Sequence, residues 1–417
     1  MNEITIIGAG LSGLMAGWQM AKKGKQVKVV TKGWGATHWL SGCVDVIGYY
    51  PVDGDAPVSS PATAVDQLIA DNPQHPYALV GKDRLAAMLA ELQALCADAD
   101  YPLHGSLARN WLLPTAVGAM RPTCLAPETM TAGDLSHDAP MLLVGFQQLM
   151  DFYPNLAAEN LSKQGIRATY AMLDLPVLQS RQFTNPMVLA RLMAQADFRK
   201  QVADALKSHL QNVERVGFPA VLGLGNALAV KADLEQRLQR PVFEMPGLTP
   251  SVPGIRLHTI LAQATAAAGG RIENGMEAIG AEKADGRVTA VYTAAAARPH
   301  PHRAEKYILA TGGILGGGIT TNSYGEVKET IFNLPVTAPA KMLDWFHRDF
   351  MDSRGHPIYQ AGLTVNDQWQ PVNGNAHPVY ENVYAVGTTL AHCEVIRERS
   401  FEGVALATGF AAAQKVA

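Results

Sequence analysis

The sequence predicts an α/β protein: a parallel sheet with helices and a small β-meander, interrupted by an inserted, largely helical second domain. Three observations carry this. An apolar run, Ile4-Thr5-Ile6-Ile7, leads into Gly8-Ala9-Gly10-Leu11-Ser12-Gly13 and then a helix-compatible stretch. Far downstream, Tyr307-Ile308-Leu309-Ala310 runs into Thr311-Gly312-Gly313. Near the chain end, Asn382-Val383-Tyr384-Ala385-Val386-Gly387 is followed by a loop and a helix start at Phe401. Each is a strand that ends in glycine.

In chain order, the first piece is a strand, a glycine turn and a helix start, the sequence of a dinucleotide-binding βαβ unit. Gly8 makes the tight turn, Gly10 lets a pyrophosphate approach the backbone, and Gly13 lets helix and strand pack closely. Phosphates then sit on the helix N-terminus, where unpaired N–H groups and the helix dipole favour anions. The helix is expected at 14–23 and a second strand at 27–30, followed by a loop at 31–37 where ligand-binding residues gather. A Pro, Ser and Asp-rich stretch at 53–61 marks the exit from this fold. Helices at 84–97 and 185–210, separated by Pro-rich loops, then suggest an insertion over 58–245. The nucleotide-fold pattern resumes with a helix opening near Gly254 and running through 268, a strand at 271–276, and short strands at 278–282 and 288–293 around the turn Ala284-Asp285-Gly286. The expected Rossmann-like, two-dinucleotide domain is therefore 1–57 with 246–330 and 375–417, with 331–374 as an extension of the cap. No repeat of 20 to 50 residues is present.

With 417 residues, 48% of them hydrophobic, the chain can bury a large core. A formal net charge of -3, with no run of Lys and Arg interleaved with aromatics, gives no nucleic-acid signature. Cys43, Cys96, Cys124 and Cys393 are scattered without a C-x-x-C pair, so they read as reduced thiols rather than disulfides, cluster ligands or a metal site. The apolar N-terminus lacks the basic stretch of a signal peptide. No segment reaches the roughly 18 to 20 consecutive apolar residues of a membrane helix.

Together the three glycine-ended strands resemble the flavin-binding frame of the fumarate reductase and succinate dehydrogenase flavoprotein superfamily. Within it, Val30-Thr31-Lys32-Gly33, Ala36-Thr37-His38, Ser41-Gly42, Pro253-Gly254-Ile255-Arg256-Leu257 and the overall length are most similar to the B subunits of anaerobic glycerol-3-phosphate dehydrogenases. The resemblance implies a flavin-containing subunit that pairs with a larger catalytic flavoprotein subunit, while a membrane-associated iron–sulfur subunit passes electrons to quinone. It implies oxidation of sn-glycerol 3-phosphate to dihydroxyacetone phosphate. It also implies a cytoplasmic location, peripheral to the inner face of the membrane through the partner subunits.

Two positions depart from the general flavin pattern. A carboxylate is expected about 20 residues past the glycines to bind the ribose of the AMP half, and this chain has Thr31. Many relatives place an acidic residue after the final strand's glycine to hold the ribityl chain; here Thr388 and Thr389 follow Gly387, with Glu394 a few residues on. FMN lacks the AMP half, and the pyrophosphate turn is intact, so FMN and FAD both remain open. The cofactor-binding candidates are Gly8, Gly10, Gly13, Thr31, Lys32, His38, Ser41, Gly42, Thr311, Gly312, Gly387 and Thr388.

Hydride transfer needs a base for the substrate hydroxyl proton and cations for the phosphate. In the loop before the last helix, His392 is the candidate base and Arg397 or Arg399 the candidate phosphate ligand, against the plainer reading of a solvated charged loop. Arg121, Arg256 and His258 are further candidates for anion contact, Arg256 against a default of capping or packing at a helix start. Two other functions stay open: a non-catalytic scaffold with a degenerate flavin site, and a stand-alone flavin dehydrogenase or oxidase of another small acid.

Overall fold

The computed structural model describes residues 2–54, 56–179 and 183–417. Asp55, in the expected exit segment, and 180–182, in the expected insertion, lie outside the described residues. The chain forms two compact units, Met1–Ala36 with Tyr49–Ala90 and His258–Ala417, and Thr37–Gly48 with Glu91–Leu257. The stretches 58–90 and 331–374 thus fold with the first unit. Hydrogen bonds from Asn72 to the His392 carbonyl (2.9 Å) and between His75 and Glu398 (3.2 Å) show why: the helices Pro61–Asp71 and Pro76–Val80 lie against the loop that precedes the last helix.

The first unit is built on a five-stranded parallel sheet ordered Arg271–Asn274, Val27–Thr31, Asn2–Ile7, Ala304–Leu309, Val383–Ala385. We label Asn2–Ile7 β1, the helix Leu11–Lys22 α1, and Val27–Thr31 β2. Ile4, Thr5, Ile6 and Ile7 are all buried, as expected of a parallel strand covered on both faces. The register pairs Ile7 with Val30 and with Leu309, and Leu309 with Ala385. The carboxyl ends of four strands therefore line up, and the loops starting at Gly8, Lys32, Ala310 and Val386 leave one edge together. A three-stranded antiparallel meander, Ala278–Ala284, Arg287–Thr293 and His300–His302, joins this unit. The last helix, Phe401–Val416, is buried along most of its length and packs on α1, so closely that a Cβ on Gly409 would lie 2.4 Å from the Ser12 carbonyl.

The second unit contains what a largely helical reading leaves out: a four-stranded parallel sheet ordered Val242–Met245, Arg215–Pro219, Met141–Phe146, Ala168–Leu173. Three of these strands are buried on both faces, and such strands read as short continuous apolar runs that periodicity cannot tell from buried helix. The helix expected over 185–210 is divided into Pro186–Met193 and Ala196–Leu206, because Gln195 adopts extended backbone as the cap of the second piece. Buried Arg215 ties this unit's loops by donating to the carbonyls of Ala132, Asp134, His137 and Ala139 at 2.7 to 3.2 Å.

Candidate functional site

The glycine turn has the geometry its three glycines suggest. Gly8 has φ +112°, donates its N–H to the Val30 carbonyl at 2.9 Å, and would place a Cβ 2.3 Å from the Ala310 oxygen. At Gly13 a Cβ would lie 2.0 Å from the Gly8 oxygen. By contrast, a Cβ on Gly10 meets nothing within 4 Å. Two of the glycines are therefore required by packing, and the middle one faces open space. α1 starts after Gly10 with no side-chain cap and no acidic residue in its first turn. Its first N–H groups have no carbonyl within the helix to bond, so this end is a ready anion site.

Two further strand ends come to the same edge of the sheet. Thr311 carries a buried hydroxyl with no hydrogen-bond partner among the described residues. The N–H groups of Gly312 and Gly313 donate to Thr389 Oγ1 at 3.0 and 3.3 Å. Gly387, at φ +79°, sits against Ser12, where a Cβ would lie 2.5 Å from the serine oxygen. Thr388 faces Gly312, its hydroxyl 3.9 Å from where a Gly312 Cβ would be. Gly8, Gly10, Gly13, Thr311, Gly312, Gly387 and Thr388 are thus gathered at one sheet edge. An orphaned hydroxyl, an open glycine and an uncapped helix end suit a phosphate-bearing, hydroxyl-rich ligand.

The remaining expected cofactor contacts have neighbours of their own. Thr31 closes on its own loop, donating to the Gly33 oxygen at 2.5 Å and accepting from the Gly33 N–H at 3.2 Å, so its one hydroxyl proton is already committed. Lys32 pairs with Glu277 at 2.8 Å on the surface. His38, Ser41 and Gly42 fold with the second unit. There the exposed His38 accepts the Ser251 N–H at its carbonyl (2.8 Å), Ser41 Oγ accepts from the Cys43 N–H (3.1 Å), and Gly42, at φ +79°, would meet Pro253 at 2.4 Å if it carried a Cβ.

The anion candidates of the second unit are held by internal carboxylates. Arg121 pairs with buried Asp45 at 2.5 Å. Arg256 is buried and makes a two-point pair with Glu244, at 2.7 and 2.9 Å, while its Nε donates to the Gly223 carbonyl at 3.0 Å. Burial works against its charge, but Glu244 beside it holds the guanidinium pKa above its ordinary value. Arg256 is a structural ion pair rather than a substrate ligand. The signal for this was absent from the helix itself, because its partner lies on a strand 12 residues upstream.

In the loop before the last helix, His392 adopts φ +69°, a left-handed conformation unusual for histidine. Its Nε2 lies 3.2 Å from Thr364 Oγ1, which in turn meets Thr337 Oγ1 at 2.8 Å. His392 lines a cavity of about 180 Å³ with Pro73, Gln74, Leu363, Thr364 and Leu390. Burial lowers the imidazole below its ordinary 6.5, which keeps it neutral and able to accept a proton. Arg397 is engaged by the chain: it donates to the carbonyls of Val52 (2.9 Å) and Ser353, and lies 3.5 Å from Glu394. It is not a free phosphate ligand. Arg399, at φ +48° and half-buried, has no side-chain partner among the described residues and remains available.

Beneath this loop is a network not visible in the sequence. Buried His75 accepts the Tyr77 N–H at Nδ1 (3.1 Å), so its Nε2 carries the proton toward Glu398 (3.2 Å). Glu398 also accepts from Ser400 Oγ (2.7 Å) and the Glu394 N–H (2.9 Å). Burial opposes the Glu398 charge, but these donors keep its pKa below the ordinary carboxylate range. Glu394 goes the other way, pushed up to about 7 by burial with Arg397 only partly opposing. Among the described residues, no group of three His, Cys, Asp or Glu could hold a metal ion, and no helix is long and apolar enough to cross a membrane.

The FAD binding domain family matches residues 3–399, from β1 through the His392 loop. The B subunit of the anaerobic glycerol-3-phosphate dehydrogenase of Pectobacterium atrosepticum is 32% identical over 423 residues, 99% of this chain and 98% of its own. That of Yersinia pestis is 30% identical over 426 residues, covering 99% and 97%. The chain belongs to this B-subunit family. Its frame is that of the FAD-binding superfamily, and its chemistry is that of flavin oxidoreductases. Within the B-subunit frame, sequence reasoning missed Thr364 and the His75–Glu398 pair. Thr389, noted beside Thr388 after the strand-ending glycine, accepts the Gly312 and Gly313 N–H groups.

Proposed function

We propose that this chain is a flavin-holding B subunit of an anaerobic glycerol-3-phosphate dehydrogenase that works within a multi-subunit complex. In that complex sn-glycerol 3-phosphate is oxidised to dihydroxyacetone phosphate, and electrons leave through an iron–sulfur subunit to membrane quinone. The observation that carries this is the uncapped start of α1 behind an open Gly10, in a chain similar to the B subunits along 99% of its length. When bound, a flavin supplies hydride acceptance. The chain's own residues hold it and manage the proton. N–H groups at the start of α1 bind phosphate, Thr311 and Thr388 offer hydroxyls beside Gly312, neutral His392 takes the substrate hydroxyl proton, and Arg399 is the remaining candidate cation of its loop. With Thr31 in place of the usual carboxylate and its hydroxyl engaged with Gly33, an adenosine ribose lacks a charged acceptor on this strand, which favours FMN over FAD.

An exposed apolar run supports a place in a complex. Leu343, Phe350 and Met351 are each more than four-fifths exposed, and Met342 and Phe346 about half. Such patches mark association surfaces. Lys341, His347, Arg348 and Arg354 are balanced there by Asp344, Asp349 and Asp352, a mixture that suits a protein partner better than an anionic lipid surface. The test is co-expression with the larger flavoprotein subunit and the iron–sulfur subunit, followed by acid release of flavin from each separated chain. FMN from this chain, and glycerol 3-phosphate-dependent quinone reduction only by the assembled complex, is the expected result. A fully active complex lacking this chain would overturn the reading.

A further inference from the structure

His258 places a buried and unpartnered ring nitrogen beside the glycine turn. The residue is 8% exposed, and its ring stacks on Trp34 with centroids 5.3 Å apart and planes at 27°. Its ring lies near the backbone of Ala9, between the first two glycines, and Nε2 has no partner among the described residues. Buried polar atoms are nearly always satisfied, so an orphan asks for an explanation, and an absent ligand is one. Three features put that ligand at the start of α1: Ala9 is next to the uncapped Gly10, Gly10 faces open space, and Trp34 belongs to the loop that follows β2. That loop is where a nucleotide site ordinarily supplies an acceptor for a sugar hydroxyl. Here Thr31 supplies no carboxylate, and its hydroxyl is engaged with Gly33.

Resting on the flavin-binding reading above, we propose that Nε2 of His258 accepts a hydrogen bond from a sugar-chain hydroxyl of the bound flavin, replacing from another helix the carboxylate acceptor that β2 lacks. Burial lowers the imidazole pKa, and the nearby Ala9 backbone only partly offsets it. A neutral ring protonated at Nδ1 keeps its lone pair on Nε2. The hydroxyl belongs either to the ribityl chain, which FMN and FAD share, or to the adenosine ribose, which only FAD has.

The test titrates the full-length apoprotein with FMN and with FAD by fluorescence quenching, comparing the wild type with His258→Leu and His258→Gln. Leucine removes the acceptor and should raise Kd about tenfold; glutamine, which can still accept, should stay within about threefold. A loss for both flavins assigns the ribityl chain, and a loss for FAD alone the ribose. If His258→Leu binds both flavins as tightly as wild type, or if His258→Gln loses as much as leucine, the assignment is wrong. Should the leucine variant not fold, ¹⁵N-histidine spectra of the wild type decide: the Nε2 resonance must move when flavin is added, and an unmoved resonance in a flavin-loaded protein overturns the proposal. A wild-type chain that binds neither flavin instead contradicts the flavin-binding reading beneath it.

Discussion

Gly13 lies so close to Gly8 that a Cβ on Gly13 would sit 2.0 Å from the Gly8 carbonyl oxygen. Both are backbone atoms of the same turn, so neither can rotate away as a flexible side chain could. Gly13→Ala should therefore destabilise the protein by about 3 kcal/mol, as overpacking at a rigid contact does. Gly10 has no such neighbour and has φ −73°, which alanine adopts readily. Gly10→Ala should leave stability within about 0.5 kcal/mol of wild type yet weaken flavin binding, because its methyl enters the space before α1. Urea denaturation and flavin titration of the two variants separate packing from ligand approach; equal destabilisation by both would contradict the assignment.

Arg256 and Glu244 form a buried two-point ion pair. Removing one partner leaves an uncompensated charge, so Arg256→Met should cost about 3–5 kcal/mol in urea denaturation. Adding Glu244→Leu should recover most of that loss. If Arg256 instead bound the substrate phosphate, Arg256→Met would raise the KM for glycerol 3-phosphate with stability little changed.

As the base, His392 should contribute about 10²–10⁴ to turnover of the assembled complex. His392→Asn tests this in steady-state kinetics, with unchanged flavin content as the control. Because burial favours the neutral ring, the acidic limb of the wild-type pH profile should fall below pH 6.5 and vanish in the variant. A limb that persists in His392→Asn would assign the base elsewhere.

Glu394 has a folded pKa of about 7 against an ordinary 4.5. Between those values the folded state holds more protons than the unfolded one, so this group makes stability fall as pH rises. Below 4.5 it is protonated in both states and contributes nothing; above 7 its full penalty is present. The stability of Glu394→Gln relative to wild type should therefore grow from pH 5 to pH 8. Chemical denaturation across that window checks it, and a difference that shrinks would reverse the sign.

Leu343→Ser with Phe350→Ser should leave the melting temperature of the isolated chain unchanged, since both side chains are 87% exposed. It should lower the yield of co-purified partner subunit. Unaltered co-purification would place the interface on another face.

The sheet edge was legible because its signals are local. A strand, three glycines and a helix start occupy adjacent positions, with Gly8 and Gly13 required by packing and Gly10 leaving open space before α1. The gathering of Thr311, Gly312, Gly387 and Thr388 also followed, since parallel strands in register must release their loops at the same edge. What stayed hidden depends on pairing across long sequence separations. Nothing near Arg256 announces that Glu244 neutralises it, nothing near Arg397 announces the carbonyls of Val52 and Ser353, and the parallel sheet of the second unit is written in apolar runs that also fit helices. Thr31 is an intermediate case: the missing carboxylate can be read from the sequence, but the closure of its hydroxyl on Gly33 cannot.

Flavin holding by this chain is tested most directly by the flavin content of the full-length chain purified on its own. Stoichiometric flavin is expected, FMN on acid release, with its loss in a folded Gly10→Ala variant. A folded wild-type chain that neither retains nor rebinds flavin would contradict flavin holding.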